Sequence, residues 1–191
     1  MMSWPRMVFL MLAAFIGACS PPQGPVTDIT GAMPRLAFAM TRANDGNAVD
    51  ARDYRGRIVV LYFGYTNCPD VCPTTLSDLS DVLKRLGDRA NDVRVLFVTV
   101  DPARDSLGTL NAYVRAFAPQ IDGLRGSDDA IARLARRYRI TYSVAPATPG
   151  HPYEVMHSDS VFFFDREGRA RFVDTSVANA STVASEITSL H

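Results

Sequence analysis

Two long apolar runs, separated by a helical pattern, restrict most strongly the folds open to this chain. The segments "RIVVLYFGY" (Arg57–Tyr65) and "VRVLFVTV" (Val93–Val100) are rich in β-branched and aromatic residues and have almost no polar interruption. Such runs are typical of strands covered on both faces, as in parallel sheets. Between them, apolar residues from Leu76 to Leu86 recur at the three- and four-residue spacing of an amphipathic helix. The pattern predicts a strand–helix–strand unit with parallel strands.

Shorter signals extend this unit into one α/β domain over 35–191. Two hairpins are predicted: one pairs "LAFAMTR" (36–42) with 48–50, and the other pairs "SVFFFD" (160–165) with "ARFVD" (170–174). Further helices are predicted from an N-cap at Asp105 to the residue before Pro119, over 130–138 and over 179–190. Alternating strands and helices predict a mostly parallel central sheet with helices on both faces, an added N-terminal hairpin and an antiparallel C-terminal hairpin. The position of a cysteine pair makes a thioredoxin-like fold the expected version.

The N-terminal segment has the pattern of an export signal. Arg6 precedes an apolar run from Met7 to Ala18, which is too short to cross a bilayer comfortably and suits a signal-peptide core. Small residues directly before Cys19 resemble the lipoprotein box of bacteria, in which that cysteine is lipidated. A plain signal peptide cleaved near Ala18 and an uncleaved anchor are the alternatives.

We therefore expect a signal peptide over 1–18, lipidation of Cys19 and a flexible tether over 19–34, a stretch rich in proline and glycine. The expected location is the cell envelope, with a membrane-anchored lipoprotein facing the periplasm. Cysteines in an oxidising compartment tend to form disulfides. Lysine plus arginine and aspartate plus glutamate number 20 each, so no global field favours nucleic acid as a partner.

The stretch "YFGYTNCPDVCPTTL" holds Cys68 and Cys72, each followed by a proline. Both lie just past the first buried strand, where binding crevices form in open α/β sheets. Pro73 is expected at the first helical position, with "CPDVC" as the preceding loop. There the helix dipole and amide donors would stabilise both thiolates. Two such sulfurs can bind one metal ion or oxidise to a disulfide.

A metal site would need at least one more ligand. Zinc in structural sites takes four ligands, and the predicted domain holds no third cysteine. Its histidines are His151 in a Pro-Gly loop, His157 just ahead of a buried strand, and the terminal His191. Two thiolates and one imidazole form a set that suits copper. Next to the cysteine pair, His157 and His151 are both candidates for the imidazole.

Three segments together resemble the Sco/SenC family of thioredoxin-like copper-binding proteins: "FGYTNCPDVCP", "VTVDPARD" and the histidine before "SVFFFD". The resemblance implies one copper ion per chain, as Cu(I), Cu(II) or both, bound by Cys68, Cys72 and His157. It implies delivery of copper to the CuA site of cytochrome c oxidase during assembly, with the copper-accepting oxidase subunit as partner. Other copper carriers and thiol reductants are further candidate partners. Asp101 and Asp105 would lie near the site as a turn and a helix cap, or in partner docking.

Two other interpretations of the cysteine pair stay open. A structural disulfide would close only a small loop and would add little stability to a core of this size. A thiol-disulfide oxidoreductase of the cell envelope, acting on the metal-binding cysteines of a partner, would need Cys68 and Cys72 but not His157. We therefore expect a metallochaperone and leave an enzymatic reductase activity open.

Overall fold

The computed structural model describes residues 26–190. The expected signal peptide, the lipidation site Cys19 and the terminal His191 lie outside these residues. Among the helices of the described range, none has the length and apolar character needed to cross a bilayer.

Ten strands and four α-helices make up the described domain. The strands are β1 (Val26–Asp28), β2 (Ala39–Arg42), β3 (Ala48–Asp50), β4 (Ile58–Gly64), β5 (Val93–Thr99), β6 (Ile121–Arg125), β7 (Tyr142–Ala145), β8 (Glu154–His157), β9 (Val161–Phe164) and β10 (Ala170–Asp174). The helices are α1 (Val71–Leu86), α2 (Leu107–Arg115), α3 (Asp128–Arg137) and α4 (Ala180–Ser189), with 3₁₀ turns over Ala51–Tyr54 and Gly87–Asp92.

Eight strands form one sheet in the order β1-β10-β9-β4-β5-β6-β2-β3. Its central strands β4, β5 and β6 run parallel, and every residue of β4 is buried, as the apolar run at 57–65 predicted. The N-terminal hairpin β2–β3 and the C-terminal hairpin β9–β10 are both antiparallel. The predicted thioredoxin-like α/β fold is confirmed.

Four strands were not predicted from the sequence: β1, β6, β7 and β8. Strand β6 reads "IDGLR", and its polar residue and glycine hide the apolar pattern. A side-chain carbon added at Gly123 would lie 2.6 Å from Leu110, so this glycine lets α2 pack closely on the sheet. Strands β7 and β8 form a separate two-stranded sheet whose residues are mostly exposed or half-buried.

Part of the expected tether belongs to the fold. Val26–Asp28 forms β1 and pairs with β10, with Val26 opposite Asp174. Ile29 follows as a buried residue, and its amide donates to the carbonyl of Arg171. The prediction of a flexible tether over 19–34 is therefore wrong from Val26 onward. Val26 and Ile29 supply the apolar contacts and backbone pairing of an edge strand.

Two helix starts differ from the sequence expectation. Helix α1 begins at Val71, so Pro73 lies in its first turn rather than at its first position. Proline is tolerated there because the first amides of a helix have no partner within it. Helix α2 is capped by Ser106, whose hydroxyl accepts from the amide of Thr109 at 3.1 Å, and not by Asp105.

Replacing Ser106 with alanine is expected to lower the free energy of unfolding by about 1 kcal/mol, because the N-cap acceptor is lost. Urea denaturation measures the change. The matched control is Ser185→Ala, the same substitution at an exposed position inside α4, which should cost nothing measurable. Equal losses in the two variants would contradict the cap assignment.

Candidate metal centre

The loop over 65–70 between β4 and α1 (the cysteine loop) carries Cys68, and the first turn of α1 carries Cys72, at one end of the parallel strands. The amide of Cys68 donates to the carbonyl of Tyr65 at 3.3 Å, which closes a turn directly after the strand. The amide of Cys72 then donates to the sulfur of Cys68 at 3.3 Å. Both cysteines are free thiols, with Cys68 half-buried and Cys72 fully buried. The sulfur of Cys68 thus accepts a backbone hydrogen bond at the start of α1.

Glycine at the end of β4 makes room for the second sulfur. A side-chain carbon at Gly64 would lie 2.6 Å from the ring of Phe97 and 2.9 Å from the sulfur of Cys72. Any other residue would therefore displace one of these groups. The apolar surroundings have an electrostatic consequence as well: burial raises the pKa of the Cys72 thiol. For this sulfur burial outweighs the thiolate stabilisation expected from the helix start.

The last residue of β8 supplies the imidazole. The Nε2 atom of His157 lies 3.2 Å from the sulfur of Cys72, and its Nδ1 atom lies 3.1 Å from the carbonyl oxygen of Ser158. A carbonyl oxygen only accepts, so Nδ1 carries the proton and Nε2 keeps a lone pair toward the sulfurs. The rings of Tyr62 and Tyr65 meet the imidazole edge-on, with centroids 6.1 and 6.0 Å away.

Cys68, Cys72 and His157 converge on one point. Their ligand atoms all lie within 4.8 Å of one another, and within residues 26–190 no other set of three or more cysteine, histidine or acidic residues is arranged to hold a metal ion. The alternative histidine, His151, is exposed and forms an isolated β-bridge with Thr148 outside this cluster. Two thiolates and an imidazole fit a soft or borderline ion such as copper.

The turn after β5 packs behind this centre through two buried carboxylates. Asp105 is fully buried and accepts from the amide of Thr66 at 3.1 Å, from its hydroxyl at 2.6 Å and from the hydroxyl of Thr99 at 2.5 Å. Asp101 is also buried and accepts from the hydroxyl of Tyr153 at 2.8 Å and from the guanidinium of Arg104. The sequence placed these acids near the site but gave no sign of Thr66 or Tyr153 as their partners.

The chain matches the SCO1/SenC family over residues 34–191. Among curated proteins it is 41% identical over 118 residues to the mitochondrial Protein SCO2 homolog of Bos taurus; the match covers 61% of this chain but 44% of the bovine protein. The chain thus spans less than half the length of that relative.

Two solved structures show the same fold. ScoI of Bradyrhizobium japonicum with copper bound superposes with a TM-score of 0.73 at 32% identity, over 82% of this chain and 99% of that one. BsSco, a member of the Sco family of cytochrome c oxidase assembly proteins in which a disulfide switch was identified, has a TM-score of 0.65 at 22% identity over 86% of this chain and 95% of that one. With the family match spanning nearly all of the described domain, the chain belongs to the SCO1/SenC family.

Proposed function

We propose that this protein is a copper carrier that delivers copper to the CuA site of cytochrome c oxidase during its assembly. The observation that carries the proposal is the convergence of Cys68, Cys72 and His157 within 4.8 Å. The copper bound to the similar ScoI structure supports the choice of metal, and the oxidase assembly role of the Sco family supports the recipient. We propose one ion per chain, bound by these three residues.

The geometry suits an ion that is passed on rather than kept. Three protein ligands leave a position open on the metal, so a thiolate or imidazole of the oxidase subunit can bind before the first ligands leave. Cys68 is half-buried and therefore reachable, whereas Cys72 lies inside. Oxidation of the pair gives two electrons to an acceptor such as a partner disulfide, forms the S–S bond and removes both soft ligands at once.

The location completes the proposal. Cys19 is proposed as the lipidation site, which would anchor the folded domain, beginning at β1, to a membrane of the cell envelope and face it toward the periplasm. There the copper centre could reach an exported copper-accepting domain of the oxidase. Mass spectrometry of the mature protein, with and without Cys19→Ser, measures whether a lipid is attached at this residue.

A second function is favoured by the different exposure of the two thiols. A half-exposed Cys68 backed by a buried Cys72 resembles the attacking and resolving pair of a thiol-disulfide reductase. Such an enzyme would keep the metal-binding cysteines of the recipient reduced. Cys68 would attack the partner disulfide and form a mixed disulfide with one partner sulfur, releasing the other. Cys72 would then attack the sulfur of Cys68, which releases the partner as a dithiol and leaves a Cys68–Cys72 disulfide.

His157→Ala separates these functions. Because the imidazole is a ligand only in the carrier, we expect this variant to lose copper affinity by at least about tenfold. That is the lower end for the loss of an outer-shell partner, and a direct ligand should matter at least as much. Disulfide reduction should stay close to wild type. Competition titrations with copper chelators and the thiolate-to-Cu(II) absorption band measure copper binding. Reduction of a model disulfide measures the reductase activity.

The matched control is His151→Ala, which removes an exposed imidazole outside the cluster. It should leave copper affinity and the absorption band unchanged. Equal copper affinity in wild type and His157→Ala would exclude the proposed ligand set, and the second function would then take precedence.

A further inference from the structure

The imidazole is carried on a small sheet that cannot be rigid by itself. Within residues 26–190, strands β7 and β8 pair only with each other, through four residue pairs that end at Tyr142 and His157. Two-stranded sheets are marginally stable in water and need packing against other elements. The described contacts of this hairpin with the rest of the domain therefore decide how closely His157 is held over the sulfurs.

One such contact is made by Tyr153, four residues before the ligand. Its hydroxyl donates to the buried carboxylate of Asp101 at 2.8 Å. Its ring lies 3.8 Å below the guanidinium carbon of Arg104, well within cation–π distance. The Nε of Arg104 donates to the same carboxylate, so the three side chains satisfy one another. A buried carboxylate paired in this way fixes the start of β8.

Arg104 also approaches the cysteine loop. Its guanidinium carbon lies 5.9 Å from the ring of Tyr65, three residues before Cys68. The hydroxyl of Tyr65 lies 3.5 Å from the carbonyl oxygen of Val155 on β8, and its ring meets His157 edge-on. Arg104 is thus close both to a tyrosine of the cysteine loop and to the tyrosine directly before β8.

We infer that Asp101, Arg104 and Tyr153 form a latch that holds the β7–β8 hairpin against the cysteine loop and so positions His157 over the two sulfurs. The latch makes no bond to the metal; its members are positioning residues. The inference rests on the proposed function, since it assigns these residues a role in that same centre. Two thiolates alone suit Cu(I), whereas Cu(II) depends more on the imidazole, so the latch should matter chiefly for Cu(II).

The test compares two tyrosines that each lose only a hydroxyl. Tyr153→Phe frees the hairpin from Asp101, while the control Tyr54→Phe removes a similar bond to Asp122, 3.1 Å long, near the opposite ends of the parallel strands. We expect Tyr153→Phe to bind Cu(II) about tenfold more weakly, as for other outer-shell partners, and to change the thiolate-to-Cu(II) band. Cu(I) affinity and the control should match wild type.

Arg104→Lys is a second variant, which keeps the positive charge but lacks the planar guanidinium that contacts the tyrosine rings. Arg104→Lys should show the same selective loss of Cu(II) affinity. If Tyr153→Phe has a lower unfolding midpoint than Tyr54→Phe, Arg104→Lys takes the place of Tyr153→Phe in the comparison. Copper-free protein supplies an independent readout, because a released hairpin should exchange its β7–β8 amide hydrogens faster.

The outcomes separate the latch from the function. Wild-type protein that binds no copper through Cys68, Cys72 and His157 would refute the proposed function, and amide exchange would still report on the latch. The inference alone would be overturned if wild type binds copper normally while both latch variants keep its Cu(II) affinity, absorption band and amide exchange. An equal loss in Tyr54→Phe would overturn it as well.

Discussion

Replacing Cys72 with serine is expected to remove copper binding almost entirely. The sulfur lies 3.2 Å from the Nε2 of His157 inside the protein, where no other soft ligand of the described residues can take its place. A hydroxyl is a hard ligand that keeps its proton at neutral pH, so the loss for Cu(I) should exceed the roughly 100-fold upper limit seen for outer-shell changes. Competition with a Cu(I) chelator measures it.

Cys68→Ser is the matched comparison for stability. Because Cys72 is fully buried and Cys68 is not, only Cys72→Ser places a more polar hydroxyl in the interior. With the Nε2 atom of His157 within reach as an acceptor, we expect a cost of about 1 kcal/mol. Both variants should lose copper, but Cys68→Ser should unfold near the wild-type midpoint. Retention of tight Cu(I) binding by either variant would rule out a two-thiolate centre.

Asp105→Ala is expected to give the largest loss of stability. The substitution leaves three donors without their acceptor in the interior: the amide and hydroxyl of Thr66 and the hydroxyl of Thr99. Unsatisfied buried donors cost about 1–3 kcal/mol each, and the hydroxyls can rotate toward other acceptors, so we expect the free energy of unfolding to fall by about 3 kcal/mol. Urea denaturation measures the difference.

The control for this prediction is Asp88→Ala, which removes an exposed carboxylate from the turn after α1 and should change stability by no more than about 0.5 kcal/mol. Loosening of Thr66 should also weaken copper binding, since this residue precedes Cys68 by two positions. A loss of stability no greater than that of the control would show that Asp105 does not hold the loop.

The sequence predicted the strands whose burial leaves a strong apolar pattern. Strands β4 and β5 are buried along almost their whole length, so every position favours an apolar residue. Strands β7 and β8 are mostly exposed, and neither face imposes alternation. Their pairing depends on contacts with the rest of the domain, which no local pattern records.

The same difference separates the parts of the candidate centre. Cys68 and Cys72 are neighbours in the chain, and their chemistry could be inferred from spacing and from the strand before them. His157 followed from the need for a third ligand and from the family resemblance. Arg104 lies in the segment "VTVDPARD" that contributed to the resemblance, which placed it near the site. Tyr153 carries no such signal, because its contact with Arg104 at 3.8 Å exists only in the folded protein.

The three converging side chains come from distant parts of the chain, with His157 lying 85 residues after Cys72. Strand β9 begins at Val161, shortly after the histidine, and pairs with β4 beside the cysteine loop. Under the proposed function, a chain whose late strands have not docked could not hold the ion with all three groups. Loading with metal would then follow the completion of folding, and only fully folded molecules would carry copper to a recipient.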